Sequence, residues 1–183
     1  MGIELTGLNT AIKELNEKLN SLSEGCLAGL VQGALLIRGE AQKNTPVVTS
    51  NLRNSAYVQS SKGTESPSPK FKGKAKEKET ARYTESIQKS ASDISGDKGL
   101  SVIVGFSASY AAYVHENVRA GKTEGVSPKG VSYAPKNKKW RGKRVSQRIR
   151  YSTVGGYKFL ESAVKDNIGR VVKLVAASAK KRG

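Results

Sequence analysis

Leu8, Ile12, Leu15, Leu19, Leu22 and Cys26 follow one another at spacings of 4, 3, 4, 3 and 4. Only a helix gathers such positions onto one stripe, so the spacing predicts a helix over residues 7–44. Thr6 can cap its start, because a threonine hydroxyl accepts a bond from an orphan amide of the first turn. Past Gly25 the apolar residues crowd (Leu27, Ala28, Leu30, Val31, Ala34, Leu35, Ile37). A helix apolar on most sides is buried in a core or against another subunit. Gly25, Gly29 and Gly33 lie four apart on one face, which either admits another backbone closely or marks a bend. Pro46 stops the helix, since the residue before proline avoids the α region.

Asn51 to Val58 reads as a turn leading into a strand that begins near Leu52. Residues 61–80 hold Ser, Lys, Gly, Pro and Glu with only Phe71 and Ala75 apolar, the composition of a basic surface loop. Residues 82–94 alternate weakly through Tyr83, Glu85, Ile87, Lys89 and Ala91, which suits an exposed strand. Gly96 to Gly99 is a turn signal, and Leu100 to Phe106 is a β-branched strand bounded by glycines. These two runs predict an antiparallel hairpin. Ser109 to Glu116 suits a short helical turn packed on the sheet. Residues 117–150 form a second long basic loop, in which Pro128, Pro135 and four glycines oppose regular structure. Gly155-Gly156 opens a C-terminal helix in which Phe159, Leu160, Ala163, Val164, Ile168, Val171, Val172 and Val175 recur at helical spacing, with Lys180, Lys181 and Arg182 complementing the dipole at its end. The expected architecture is one α+β domain over residues 1–183: a long N-terminal helix and a C-terminal helix packed on a small antiparallel sheet, with two extended basic loops at 61–80 and 117–150.

Charge narrows the function classes. The 183 residues carry a formal net charge of +17. Residues 1–55 are neutral, with five basic and five acidic side chains, whereas Arg119–Arg150 holds 11 basic residues against the single acid Glu124. Such a field attracts polyanions, nucleic acid first; basic Gly/Ser-rich stretches are also commonly just solvated. Trp140 stands among Lys136, Lys138, Lys139, Arg141, Lys143 and Arg144. An aromatic among cations can stack on bases or anchor a protein interface, where Trp and Arg are over-represented. No run approaches the roughly 18 apolar residues of a membrane span. Met1 to Leu5 lacks the basic start and apolar stretch of a secretory signal, so assembly in the cytoplasm is expected.

Catalytic constellations are absent from the sequence. There is no GxxxxGK[ST], GxSxG or HExxH pattern. One cysteine, Cys26, excludes an internal disulfide framework and a Cys-rich zinc module, and its place on the apolar stripe reads as a buried, inert thiol. One histidine, His115, excludes a His cluster within one chain. His115-Glu116 is the only His–carboxylate neighbour pair; adjacent residues point different ways, so a structural histidine ending a packed turn is expected. No cofactor, no metal and no enzymatic activity are expected.

Three blocks, in order, resemble a known family. The first is Lys43-Asn44-Thr45-Pro46-Val47-Val48-Thr49-Ser50-Asn51-Leu52-Arg53-Asn54-Ser55, similar to a helix end followed by TPVdTGxLRxS. The second is Val102 to Phe106 followed by Ser109 to Glu116, with Tyr110 and Tyr113, similar to "vGf…YAxyvE". The third is Gly156-Tyr157-Lys158-Phe159-Leu160-Glu161-Ser162-Ala163, similar to "kFLxxA". Together with the long first helix they resemble the tail-completion, or head–tail joining, proteins of the necks of tailed bacteriophages. The resemblance implies a non-enzymatic virion protein, at the neck or tail terminus, that forms a ring, often of six copies. Such a ring caps the tail tube protein and meets a head-closure or adaptor protein, with genomic DNA passing through its channel. It makes Leu52 and Phe159 core anchors, has Arg53 tie its turn to a carboxylate or an interface, and makes Thr45, Pro46, Tyr110, Tyr113 and Leu160 parts of the fold or interface motif. Ser50 departs from the glycine usual in the family, and the two basic insertions are longer than its pattern requires. The remaining alternative is a stand-alone basic nucleic-acid-binding protein.

Overall fold

The computed structural model describes residues 8–46, 50–73, 76–97, 99–117, 139–140, 143–144 and 156–182. The fold is α+β. Helix α1 spans Leu8–Lys43 without interruption, so the glycines of its middle are not a bend. It ends as expected before Pro46: the buried Thr45 hydroxyl donates to the Ala41 carbonyl at 2.6 Å, closing the last turn. The cap expected from Thr6 lies outside the described residues.

The turn at 50–55 is a single helical turn, α2 (Asn51–Asn54), and the strand starts at Ala56 rather than Leu52. Ser50 enters α2 with φ 64°. That is the left-handed conformation, which glycine adopts without strain and serine seldom does. Strand β1 (Ala56–Ser60) is the centre of a three-stranded antiparallel sheet of order β2-β1-β3, with β2 at Gly63–Thr64 and β3 at Val102–Phe106.

Three expectations differ from the structure. Residues 82–94 are not a strand. They belong to helix α3 (Lys76–Gly96), whose buried or half-buried positions Tyr83, Ile87, Ser90 and Ile94 fall at 4, 3 and 4. Consequently β3 does not form a hairpin with its predecessor in sequence; it pairs with β1, Val58 opposite Val104. The stretch 61–80 is also not one exposed loop. It holds β2, the buried Phe71 and the first turn of α3. The Asn51 side chain fixes it, its amide donating to the Lys72 carbonyl and its carbonyl accepting from the Lys72 amide, both at 3.0 Å.

Strand side chains alternate between faces, and the two faces are covered by different helices. Val104 and Phe106 pack on one side against Ile37 and Ala41 of α1 and Phe159 and Ala163 of α5 (Phe159–Arg182). On the other side Tyr57 and Ile103 meet Phe71, Tyr83 and Ile87. The Tyr57 hydroxyl reaches Ser90 Oγ at 2.9 Å, and its ring lies over Gly105, where an added Cβ would come within 2.7 Å of it. The layers are thus a pair of long helices, a small sheet and α3. The short helix α4 (Ala111–Glu116) forms where a packed helical turn is expected.

Helices α1 and α5 run antiparallel in direct backbone contact. A Cβ on Gly25 would lie 2.8 Å from the Ser178 carbonyl oxygen, and one on Gly29 would lie 2.5 Å from Val175 Cα. The glycine face is therefore the seat of α5 within the same chain, not a surface left for another subunit. The apolar residues that follow Gly25 are divided: Leu27, Ala34 and Ile37 are buried, while Leu35 is exposed. No described helix is long and apolar enough to cross a membrane.

Candidate functional site

The three sequence blocks, far apart along the chain, meet at one junction. At the end of α1, the Asn44 carbonyl accepts from the Gly156 amide at 3.0 Å, and the Gln42 side-chain amide donates to the Arg53 carbonyl at 2.7 Å. Arg38 Nε donates to the Ala56 carbonyl at 3.1 Å, and burial lowers the guanidinium's pKa from its ordinary value. From α2, Leu52 packs into Ala108 and Ala111, flanked by Phe106 and Val114. Ser55 caps that turn on the Leu52 carbonyl and its own carbonyl receives the Ser107 amide. The third block closes the junction: Lys158 donates its amide to the His115 carbonyl at 2.7 Å. The Phe159 ring sits edge-on to both Phe106 and His115, each with centroids 5.0 Å apart.

Most of the expected motif residues therefore sit in or beside this junction. Leu52 and Phe159 are core anchors at 4% and 2% exposure; Thr45 and Pro46 are buried; Leu160 is half-buried beside them. Tyr110 and Tyr113 differ: they are exposed, at 37% and 68%. Tyr157 is exposed as well, with the Lys158 ammonium 5.5 Å from its ring centroid. Exposed tyrosines at one junction are the residue type enriched in protein interfaces. In the sequence Tyr157 carries no periodic signal, since it stands beside Gly156 ahead of the helix. Arg53 makes no ion pair among the described residues; its Nε is buried without a partner there.

His115 and Glu116 are neighbours that do touch, Nδ1 to Oε1 at 2.8 Å, against the expectation that they diverge. The pair lies at the end of α4, where the helical turn finishes and the side chains are free to converge. With the imidazole against Phe159, the histidine closes a packed turn, as expected. Next to it, Glu161 accepts from Lys158 at 2.8 Å and Lys165 at 2.6 Å, and these two ammonium groups lower its pKa to about 2. Cys26 is partly exposed rather than buried.

Of the basic cluster, Lys139–Trp140 and Lys143–Arg144 form a two-stranded antiparallel ribbon, β4 and β5, with Lys139 opposite Arg144 and Trp140 opposite Lys143. Regular structure thus appears where a loop was expected. Lys136, Lys138 and Arg141 lie outside the described residues. Among the described residues no three His, Cys, Asp or Glu side chains converge as metal ligands.

Two apolar stripes remain exposed on the long helices. On α1 they are Leu8, Ile12, Leu15, Leu19 and Leu22; on α5 they are Val164, Ile168 and Val172. A monomer seldom exposes large apolar side chains in register, and such patches mark contact surfaces. No family model matches the chain, and no curated protein or solved structure shows significant similarity to it.

Proposed function

We propose that this chain is a non-enzymatic structural protein of a tailed-phage virion. It closes into a ring, with six copies as the expected number, at the neck or tail terminus. There it completes the tail and joins it to the head-proximal connector. The observation that carries this reading is the junction: the three blocks that resemble the tail-completion family, separated by dozens of residues, pack on one another through Leu52, Phe106 and Phe159. The exposed Tyr110, Tyr113 and Tyr157 beside that core supply an interface, and the exposed helix stripes supply more. Assembly takes place in the host cytoplasm. The tail tube and an adaptor or head-closure protein are the partners, and genomic DNA passes through the channel.

The test is to incubate the purified chain with isolated phage tail tubes that lack their terminal ring and to image the tubes by negative stain. Caps at one end of the tubes are the expected result. Tubes left bare at saturating protein would overturn the role.

A second reading rests on the paired strands Lys139–Trp140 and Lys143–Arg144, because a two-stranded ribbon whose sequence sets a tryptophan among cations fits a nucleic-acid groove or single strand. A stand-alone nucleic-acid binder contacting six or more phosphates loses roughly 10³-fold in affinity between about 50 and 200 mM salt. Titrations of duplex DNA, single-stranded DNA and RNA that show no such slope remove this alternative.

A further inference from the structure

The three-stranded sheet has two edges, and they differ. β2 is two residues long, and only Thr64 turns its backbone groups outward, because Gly63 lies opposite Ser60 and the Glu65 amide bonds back to the Val58 carbonyl. β3 is the other edge. The Ser107 amide donates to the Ser55 carbonyl at 3.1 Å, in register with Gly105 opposite Tyr57 and Ile103 opposite Gln59. Bonded and unbonded pairs alternate along antiparallel strands, so Ile103 and Gly105 are the residues of β3 that bond to β1. The amides and carbonyls of Val102, Val104 and Phe106 therefore point away from the sheet, and among the described residues they bond to nothing.

Every residue of β1 is buried, whereas every residue of β3 is only half-buried. Both faces of β3 are nonetheless covered: Val104 and Phe106 pack towards α1 and α5, and Ile103 packs beside Tyr83 of α3. What β3 leaves open is its edge. Edge strands are usually guarded by a lysine, a proline, a bulge or sheer shortness. β3 has none of these, since it runs five residues in unbroken register, and residues 99–114 are the longest stretch of the chain without a charged side chain. In a chain of net charge +17, this edge meets its own kind with no like charges directly across from one another.

An open edge accepts an extended backbone, and the side chains of β3 fit β3 itself. Turned antiparallel about Val104, the strand sets Val104 opposite Val104 and Val102 opposite Phe106, an aromatic–β-branched pair of the kind that favours strand pairing. On the other face Ile103 comes opposite Gly105, a large side chain against none. The outward groups of Val102, Val104 and Phe106 then meet as three bonded pairs of two hydrogen bonds each. Sliding either strand by two residues leaves only two such pairs. We propose that β3 pairs antiparallel with β3 of a second copy about a two-fold axis at Val104, giving one continuous sheet of order β2-β1-β3-β3-β1-β2. Such a contact joins the same patch on both copies and stops at two. It stands apart from the ring proposed above and does not depend on it.

The test follows the full chain through a dilution series by sedimentation velocity and by residue-resolved amide exchange in NMR, with Val102→Pro alongside. Proline is tolerated as the first residue of a strand. Here it removes an amide that bonds nothing within the chain, and circular dichroism melting checks the fold. The expected wild type associates with concentration, and its Val102, Val104 and Phe106 amides exchange slowly when concentrated and fast when dilute. Val102→Pro should pair at least about tenfold more weakly, because two of the bonds between copies are gone. Amides that exchange fast at every concentration overturn the proposal. Amides that stay slow in a monomer show an edge already paired within the chain and overturn it too. Slow exchange that appears only when another protein is added gives the edge to that protein's strand, and self-pairing falls. A folded Val102→Pro that pairs as tightly as the wild type also overturns it; should that variant fail to melt cooperatively, the wild-type exchange series decides alone.

Discussion

Gly29→Ala separates the helix-pair geometry from helix propensity. In isolation the change favours a helix by about 1 kcal/mol. In this fold the new Cβ would lie 2.5 Å from Val175 Cα and 3.0 Å from both the Leu174 carbonyl oxygen and the Val175 amide. All three are backbone atoms, so no rotamer change relieves them and α1 and α5 must move apart. Overpacking of a tight contact costs about 1–3 kcal/mol, and a clash wholly with backbone belongs in the upper part of that range. The net effect is a loss of about 1–2 kcal/mol. Gly39→Ala is the control: it lies on the same helix with nothing within 4 Å of the new Cβ. It keeps the propensity gain of up to about 1 kcal/mol. The two variants should differ by about 2–3 kcal/mol, or about 4–12 °C in melting temperature for a chain of this size. Urea and thermal unfolding followed by circular dichroism measure the difference. If Gly29→Ala proves as stable as Gly39→Ala, the close approach of the two helices is refuted.

Phe159→Ala removes the ring that joins Phe106 to His115 and should cost about 3–5 kcal/mol, read as a fall in the urea midpoint; a loss below about 1 kcal/mol would deny Phe159 its place at the centre of the junction. Glu161 should titrate with a midpoint of about 2 in a carboxyl NMR titration, and Lys165→Gln should move it up. Its ionised form is favoured by folding, so this small stabilisation is present above the ordinary carboxylate range near 4.5 and is lost as the pH falls through about 2. Deleting residues 122–145 should leave a cooperative melt, because all three blocks of the junction lie outside that stretch, and should impair joining to the neighbouring tail or neck component; loss of the cooperative transition would show that the basic segment is part of the core.

The parts of the fold legible in the sequence are those whose burial is one-sided and periodic. The rows of α1 and α5 and the β-branched run of β3 read directly from residue spacing. Helix α3 did not, because it buries little apolar surface: Tyr83, Ile87 and Ile94 are its large apolar residues, and Ser90 fills the fourth inward position. A weak alternation through Tyr83, Glu85, Ile87, Lys89 and Ala91 then imitates a strand. Pairing of β3 with β1 was hidden for the same reason, since a strand at 82–94 would have been its neighbour. Helical periodicity also does not say who covers a stripe. Gly25, Gly29 and Gly33 look like a subunit contact and hold α5 of the same chain, whereas Leu8 to Leu22 look like core and are exposed. The junction was legible as three motifs but not as one site. Its closing bonds, Asn44 to Gly156 and His115 to Lys158, use backbone groups that leave no mark in the sequence.

The central claim is assembly into a closed ring, and native mass spectrometry of the purified chain at moderate salt tests it most directly. The account predicts one discrete species at an integer multiple of 19.6 kDa, with an annular projection in negative stain of the same sample. A chain that remains at 19.6 kDa at every concentration, alone and with tail tubes, would contradict it.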